Sequence, residues 1–352
     1  MADDVGHAVT CARTSPDAEP GLRRSVALAR LSGLTVGVVY GPTSVEDRTY
    51  SEALPREDWS AHQIVAALQS VGITARVVDP TSATFLGELR SCDVVFVNSH
   101  GHFGEDGRLQ GVLEYLRLPY SFSGVLTQAV GLDKLVTKAV FEHLQIPTPR
   151  STGARSILNG VADSPFGYPV MMKAPDGGSS LGLELVHDRA QLGAAQAAIA
   201  SQGYETIFLE EYVPGRSVTV SVLEAEGSLQ PLPPIEVETS ASYYDAECKL
   251  GARGGASSSV PDLAEAVVAR LRSDALRMGE FLHARGALRV DFVVTPSGDH
   301  FALEINTVPG MQRSSNLPQA ALHAGVDYVD LVLMLLCAAL ETPPARRPTP
   351  SP

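Results

Sequence analysis

The sequence predicts an α/β protein of two or three domains. Its 352 residues are more than one ordinary compact core holds. Apolar runs of strand length alternate with amphipathic segments of helix length between residues 34 and 97, which is typical of a parallel sheet covered by helices. Beyond residue 128, short strands joined by tight turns indicate two smaller α+β units.

The N-terminal unit is predicted from alternating elements. They are, in chain order, a strand at 34–39, a helix at 60–71, a strand at 73–78, a helix at 82–90 and a strand at 94–97. Ser60 is a candidate cap for the first of these helices. Loops at the carboxyl ends of parallel strands carry binding groups, so residues 41–46 and 98–101 are candidate site loops.

The later elements follow from apolar periodicity and from the positions of Gly and Pro. They are a helix at 133–144, strands at 168–173 and 183–186, a helix at 188–201, strands at 206–213 and 218–222, a helix at 261–284 and strands at 287–294 and 300–306. We therefore predict a poorly ordered tail at 1–31, domains at 32–127, 128–216 and 217–341, and a second poorly ordered tail at 342–352.

Composition narrows the function classes. Lys plus Arg number 27 and Asp plus Glu 40, a formal charge of −13, which argues against a nucleic-acid partner bound through its phosphates. The four cysteines lie far apart and form neither a zinc motif nor a disulfide framework. No apolar run is long enough to span a membrane, and the acidic N-terminus is no signal peptide. We therefore expect a cytoplasmic protein without a membrane partner.

Three oxygen-bearing side chains are predicted to converge on neighbouring strands. Asp291 shares one face of its strand with Arg289, and Glu304 shares a face of the next strand with Asn306. A turn between the strands makes them antiparallel neighbours. Oxygen ligands without His or Cys suit Mg²⁺, which commonly shares its remaining positions with phosphates. The alternative is an ordinary solvated sheet face, on which Asp and Glu are common.

Lysines provide a second constellation. Lys173 ends a strand before the small-residue run Gly177–Ser180, whose backbone N–H groups can approach phosphate oxygens. Lys134 begins a helix and Lys249 lies in a Gly-rich loop, although any single lysine is more often a surface residue. The chain has no GxxxxGK[ST] loop and no GxGxxG after its first strand, so a P-loop protein and a dinucleotide-dependent oxidoreductase are both disfavoured.

A series of segments, in order along the chain, resembles the D-alanine–D-alanine ligases of the ATP-grasp superfamily. The segments are 39–46 (VYGPTSVE), 100–111 (HGHFGEDGRLQG), 118–125 (LPYSFSGV), 132–134 (LDK), 168–173 (YPVMMK), 178–182 (GSSLG), 244–249 (YDAECK), 289–291 (RVD) and 303–311 (LEINTVPGM). Each is weak alone, but the ordered set is specific, and it extends from about residue 34 to about residue 340.

The resemblance implies a fold and a reaction. The fold would be ATP-grasp, with an N-terminal Rossmann-like parallel-sheet domain, a central α+β lid domain and a C-terminal α+β domain. The carboxylate of one small amino acid would attack the γ-phosphate of ATP, and the amine of a second would attack the resulting acylphosphate, releasing ADP and phosphate. This chemistry depends mainly on positioning and charge neutralisation. The resemblance also implies a role in peptidoglycan synthesis and, as a family expectation, a homodimer.

The resemblance further implies roles for individual residues. Two Mg²⁺ ions, or Mn²⁺ in their place, would be bound by Asp291, Glu304 and Asn306. ATP would be bound by Lys134, Lys173, Ser179, Ser180, Glu210, Glu211, Val213, Lys249 and Phe292. The two amino acids would be bound by Glu46, His100, Ser314 and Ser315, with Ser179 linking Glu46 to the mobile loop. Arg289 and the N–H of Gly310 would stabilise the tetrahedral oxyanion.

Three positions depart from the family pattern. Gly41-Pro42 stands where the family usually has Gly-Gly, which stiffens the turn. Ser217 stands where a glutamate usually binds the ATP ribose, and Leu250 stands where a tyrosine closes the lid over the second substrate. The alternatives are therefore a dipeptide or depsipeptide ligase with another second substrate, from a resistance or antibiotic-biosynthesis pathway, and a non-catalytic nucleotide-binding relative.

Overall fold

The N-terminal part contains a three-stranded parallel sheet in the order β2-β1-β3. The computed structural model describes residues 24–44, 48, 52, 55, 58–153, 156–157, 161–178, 181–238 and 257–341. The strands are β1 (Thr35–Val39), β2 (Thr74–Val78) and β3 (Val94–Val97). The helices of this part are α1 (Arg24–Leu31), α2 (Ser60–Ser70), α3 (Phe85–Leu89), the irregular turn α4 (Gly101–Gly104) and α5 (Arg108–Leu116). β1 and β3 are buried along almost their whole length, as their continuous apolar sequences require.

Helix α1 corrects one prediction. Residues 1–31 were expected to form a poorly ordered tail, but Arg24–Leu31 is helical, with Ala27 and Leu31 fully buried. Its basic side chains pair with acidic residues near the other end of the chain: Arg24 with Asp327 and Asp330, and Arg30 with Glu341. Contacts more than 300 residues away in sequence stabilise this helix, and local sequence reasoning cannot anticipate them.

The predicted cap of α2 is also wrong. The residue that precedes the helix in extended conformation is Trp59, and it makes no side-chain capping bond. The Ser60 hydroxyl instead accepts a hydrogen bond of 2.8 Å from the Asn98 side chain. Ser60 therefore joins α2 to the end of β3.

The central part is an antiparallel sheet in the order β4-β7-β5-β6. Its elements, with the two helices that precede them, are α6 (Val125–Leu132), α7 (Lys134–His143), β4 (Ser156–Ile157), β5 (Val170–Lys173), β6 (Leu183–Val186), α8 (Leu192–Ser201) and β7 (Thr206–Glu211). α8 packs against β6, and its buried residues Leu192, Ala195 and Ile199 join a small core with Val170 and Met172. β5 and β6 form a hairpin on either side of residues 174–182, which contain the small-residue run Gly177–Ser180, as predicted.

The largest sheet is antiparallel, in the order β11-β10-β8-β12-β13, with β9 paired to β8. Its elements and the following helices are β8 (Arg216–Ala225), β9 (Ser228–Pro231), β10 (Ile235–Glu238), β11 (Ser257–Ser259), α9 (Glu265–Phe281), β12 (Ala287–Val294), β13 (His300–Asn306), α10 (Asn316–His323) and α11 (Tyr328–Glu341). α9 covers one face, where Val218, Val220 and Val222 are buried. The opposite face carries polar side chains toward the central sheet.

The last helix completes the N-terminal core. α11 contacts α1, α2 and β3, and its buried residues belong to the same apolar cluster as the parallel sheet. The first and last parts of the chain therefore share one core, which fixes the loop after β3 relative to the large sheet. Among the described residues, no single helix is long and apolar enough to cross a membrane, and α10 with α11 meets that test only as a pair bent by 105°.

Candidate active site

One cavity lies between the central sheet and the polar face of the large sheet. It is lined by residues of β5, β6, β7, β8, β10, β12 and β13, with the start of α7 and of α10. Eight predicted site residues are brought together in its wall: Lys134, Lys173, Glu210, Glu211, Val213, Asp291, Phe292 and Glu304. Convergence of charged side chains from several strands onto one cavity is what the predicted phosphate and metal chemistry needs.

The predicted convergence of oxygen ligands is present in the strand register. Asp291 lies directly opposite Glu304, and Arg289 lies directly opposite Asn306, across the antiparallel β12–β13 pair. Arg289 grips Asp291 with two hydrogen bonds, of 2.6 Å from Nε and 2.7 Å from Nη2. We call Arg289, Asp291, Glu304 and Asn306 the metal cluster.

Each carboxylate of the metal cluster contacts a cation. Besides the Arg289–Asp291 pair, Lys134 Nζ lies 2.9 Å from Glu304 Oε2 and also donates to the carbonyl oxygen of Gly177. The side chains of Asp291 and Glu304 are 17% and 26% exposed, so part of each carboxylate still faces the cavity. Two carboxylates and an amide, all hard oxygen donors, fit Mg²⁺ better than a softer metal.

Lys134 owes its position to the start of α7. Asp133 caps this helix by accepting hydrogen bonds from the N–H groups of Leu135 and Val136. The Lys134 N–H donates to the carbonyl of Pro175 at 2.8 Å. The lysine is thus held between the metal cluster and the small-residue run that was predicted to approach phosphates.

A second charged group lies on the β5–β7 side of the cavity. Glu210 on β7 is 2% exposed and accepts hydrogen bonds from Lys173 and from Lys138, the latter at 2.7 Å. We call Lys138, Lys173 and Glu210 the lysine cluster. Burial opposes ionisation of the glutamate, but the two ammonium groups outweigh it and hold the pKa of Glu210 below its usual value. Burial lowers the pKa of Lys138.

Lys138 was not predicted as a site residue. It follows Lys134 by about one helical turn, so both lysines lie on one face of α7. The sequence contains that spacing, but the partner Glu210 lies 72 residues away on another element. Only the fold reveals that the second lysine is buried in an ion cluster.

β8 contributes hydroxyl groups that sequence reasoning also missed. Thr219 lies opposite Asp291 and lines the cavity, and Ser221 lies opposite Arg289. Both hydroxyl oxygens are buried without a hydrogen-bond partner among the described residues. The signal was available, because Ser217, Thr219 and Ser221 alternate with three valines. Thr219 is therefore a further candidate ligand contact beside the metal cluster.

Of the residues predicted to bind the two amino acids, His100, Ser314 and Ser315 are described, and none of them lines this cavity. His100 follows β3 at the carboxyl end of the parallel sheet and directly precedes α4. Gly310 and Ser315 are close neighbours, since a Cβ on Gly310 would lie 3.1 Å from the Ser315 hydroxyl. Ser314, in the turn before α10, is exposed. The turn that carries Gly310 is fixed by Tyr328, whose hydroxyl donates to the Met311 carbonyl at 2.7 Å.

The remaining predicted residues divide into two groups. Glu211 forms a two-pronged ion pair with Arg150, at 2.8 Å for each bond, in addition to its place in the cavity wall. Glu46, Ser179, Ser180, Lys249 and Leu250 lie outside the described residues, so their predicted roles stay predictions.

Solved structures share this fold, in which a central antiparallel sheet and a larger one enclose a cavity lined with lysines and carboxylates. The D-alanine–D-alanine ligase of Bacillus anthracis complexed with ATP matches with a TM-score of 0.71 and 23% identity, covering 88% of this chain and 98% of its own. The ligase from Coxiella burnetii matches with a TM-score of 0.70 and 24% identity, covering 88% of this chain and 94% of its own.

Sequence comparison then identifies the family. The family model described as "D-ala D-ala ligase C-terminus" matches residues 135–337. The D-alanine–D-alanine ligase of Synechococcus sp. (strain JA-3-3Ab) is 36% identical over 81% of this chain and 92% of its own length. That of Herminiimonas arsenicoxydans is 36% identical over 86% and 91%. The chain belongs to the D-alanine–D-alanine ligase family, and the predicted family and ATP-grasp fold are confirmed.

Proposed function

We propose that this protein joins two molecules of D-alanine in a reaction driven by ATP. Membership of the family makes it an ATP-dependent carboxylate–amine ligase. The observation that carries the proposal is the placement of Asp291 and Glu304 in the same cavity wall as Lys134 and Lys173. That wall offers oxygen ligands for Mg²⁺ and cations for phosphates within one space, which is what phosphoryl transfer to a carboxylate requires.

The nucleotide assignments follow from the cavity. Lys134 and Lys173 are the phosphate-binding cations, and each changes its carboxylate partner for phosphate oxygens when ATP enters. Glu210, Glu211, Val213 and Phe292 surround the adenine end. Asp291, Glu304 and Asn306 bind two Mg²⁺ ions, which Mn²⁺ can replace. When bound, these ions neutralise the charge that develops on the transferred phosphoryl group.

The amino-acid assignments follow from the substrate side. His100 lies beside the carboxylate of the first substrate, and Glu46 binds its ammonium group. Ser314 and Ser315 bind the carboxylate of the second. Arg289, held rigidly by Asp291, and the N–H of Gly310 stabilise the oxyanion formed when the second amine attacks the acylphosphate. Ser179, Ser180 and Lys249 close over the phosphates. A cytoplasmic homodimer is the form in which we expect the enzyme to act, in the pathway that supplies peptidoglycan.

A substrate panel tests the proposal. The protein is mixed with ATP, Mg²⁺ and single or paired D- and L-amino acids, and both ADP release and product mass are measured. When D-alanine is the only amino acid in the mixture, we expect ADP to form together with a product that has the mass of the alanine dipeptide. ADP formation only with non-alanine substrates contradicts the D-alanine assignment. No ADP with any pair would favour a nucleotide-binding relative without turnover.

A further inference from the structure

The loop that follows β3 contains a carboxylate to which no role has been assigned. Glu105 lies in the HGHFGEDG segment, directly after α4. Its Oε2 accepts a hydrogen bond of 2.7 Å from the N–H of Gly101, the residue after His100. Its Oε1 accepts one of 3.2 Å from the N–H of Val308, two residues beyond Asn306. One side chain therefore joins the substrate-side loop to the end of β13.

The same carboxylate contacts the amide of the metal cluster. In the orientation that satisfies both neighbours, the Asn306 amide nitrogen donates to Glu105 Oε1 at 3.3 Å, and its oxygen accepts from Arg289 Nη2 at 2.8 Å. An ionised glutamate only accepts hydrogen bonds and a guanidinium only donates them. The two neighbours therefore define which end of the amide is which. A metal ligand must present its oxygen, so this orientation decides whether Asn306 can bind a cation.

The backbone around Glu105 is held in a tight turn. The Glu105 N–H donates to the Gly101 carbonyl at 2.8 Å. A Cβ on Gly104 would lie 2.1 Å from the Ser99 carbonyl oxygen, so this turn is pressed against the chain that precedes His100. The neighbouring Asp106 instead caps backbone N–H groups of its own loop, at Phe103 (2.8 Å) and Arg108 (2.9 Å). Of these two carboxylates, Glu105 is the one that bridges to β13 and the segment after it.

We propose that Glu105 is a positioning residue that fixes the amide of Asn306 with its oxygen toward Arg289, on the side of Asp291, and ties the His100 loop to the metal cluster. The proposal rests on the proposed function in one respect, the assignment of Asn306 as a metal ligand. Partners that orient a metal ligand commonly contribute 10- to 100-fold to metal affinity or activity. Glu105 acts through Asn306 and the turn to Gly310, and it contacts no reacting atom.

The experiment measures Mn²⁺ binding by electron paramagnetic resonance in the presence of ADP, without amino acids and without turnover. Glu105→Gln offers Asn306 both a donor and an acceptor, so only Arg289 still favours one orientation of the amide. The Kd for Mn²⁺ should rise about 10-fold or more. Asp106→Asn is the matched control, because it disturbs the same loop without touching Asn306, and its Kd should stay within about two-fold of wild type. An equal rise in both variants overturns the proposal.

The same substitution in an Asn306→Asp variant distinguishes the loss of amide orientation from general damage to the loop. Asn306→Asp replaces the amide by a carboxylate, whose two oxygens are equivalent, so orientation no longer matters. In that background Glu105→Gln should cost no Mn²⁺ affinity, because the introduced amide can donate to the introduced carboxylate, and the double-mutant cycle should show strong coupling. A loss of the same size in both backgrounds means that Glu105 is merely structural. Thermal unfolding of each variant confirms that folded protein is compared.

The metal assignment is checked by a separate variant. Glu304→Gln should lower Mn²⁺ affinity whether or not Glu105 orients Asn306. Loss of affinity in Glu304→Gln with wild-type affinity in Glu105→Gln overturns only the role of Glu105. Wild-type affinity in Glu304→Gln overturns the metal site itself. In the enzyme assay, saturating Mg²⁺ should restore most of the kcat of Glu105→Gln, since the substitution weakens metal binding and leaves the reacting groups in place.

Discussion

The metal cluster and the lysine cluster are built from the same kinds of side chain but differ in burial. Asp291 and Glu304 are 17% and 26% exposed, whereas Glu210 is 2% exposed. Each carboxylate of the metal cluster contacts a cation and still reaches the cavity. Glu210 shares two ammonium groups and is enclosed. Under the proposed function, Asp291 and Glu304 exchange partners when a metal ion and phosphates bind, while Glu210 keeps Lys138 when Lys173 moves to the phosphates.

Lys173 and Lys134 are both held at the cavity wall by ion pairs. Each ammonium group has a carboxylate within reach in the structure, and each carboxylate belongs to a different cluster. Under the proposed function, these are the two ion pairs that phosphate oxygens replace when ATP binds.

The largest effect is expected from the metal cluster. Glu304→Gln removes one anionic ligand but keeps the shape of the side chain. We expect ADP release to fall roughly 10²–10³-fold, the size typical of removing one electrostatic contact to a transition state. The free energy of unfolding should change little, because Glu304 is partly exposed. A coupled assay for ADP and a urea titration measure the two quantities, and unchanged turnover removes Glu304 from the metal site.

Substitutions in the lysine cluster should mainly lower the free energy of unfolding. Glu210→Gln leaves Lys138 and Lys173 buried near each other without an anion, and we expect a loss of about 3–5 kcal/mol in the free energy of unfolding. Lys138→Met is the matched comparison. It leaves Glu210 paired with Lys173, so the loss should be smaller, about 1–3 kcal/mol. Urea unfolding gives both values, and a larger loss in Lys138→Met contradicts the interpretation of Glu210 as a shared anion.

Lowering the pH tests the same ion pairs reversibly, because it protonates Glu210 without a substitution. The folded-state pKa of Glu210 lies below the ordinary value of 4.5, because its lysine partners outweigh the effect of burial. In the window between these two pKa values the unfolded chain binds more protons, so stability rises with pH. The contribution of Glu210 is thus present above about pH 4.5 and is lost as the pH falls through the lowered pKa. The difference in unfolding free energy between wild type and Glu210→Gln should narrow below about pH 4.5, and a constant difference rules out this linkage.

The difference between the clusters also marks what the sequence could predict. Asp291, Glu304, Arg289 and Asn306 were placed together correctly, because strand alternation and one short turn decide their geometry. Lys138 could not be paired with Glu210, since that contact depends on how α7 packs against β7. The helix α1 was missed for the same reason, because its acidic partners lie on α11 and just before it. Local sequence patterns therefore predicted contacts between neighbouring strands. Contacts between residues far apart in sequence could be found only from the folded structure.

Glu105 illustrates an intermediate case. The motif around it was recognised, but a motif names residues without stating what each one touches. The bridge to Val308 spans 203 residues and crosses from the N-terminal part to the large sheet. The shared core of the parallel sheet and α11, which also contains Val308, brings these segments together, and no local sequence pattern indicates that contact.

The smallest effect is expected at Ser217, where the nucleotide side of the cavity departs from the family pattern. Ser217 lies opposite Val293 and lines the cavity with Val213 and Gly215. Ser217→Glu places a carboxylate where the family usually has one, and a charged acceptor for ribose hydroxyls is worth about 1 kcal/mol more than a neutral one. The KM for ATP should therefore fall roughly five-fold with little change in kcat.

The control is Ser221→Ala, which changes a hydroxyl on the same face of β8 that does not line the cavity wall. Its KM for ATP should equal that of wild type. If the KM for ATP falls in Ser217→Glu and not in Ser221→Ala, the wild-type enzyme lacks one ribose contact that the family pattern contains. The nucleotide side of the cavity is then incomplete, whereas the metal cluster is complete. A higher KM means that the serine itself fits the bound nucleotide, and the two sides of the cavity then differ in chemistry rather than in completeness.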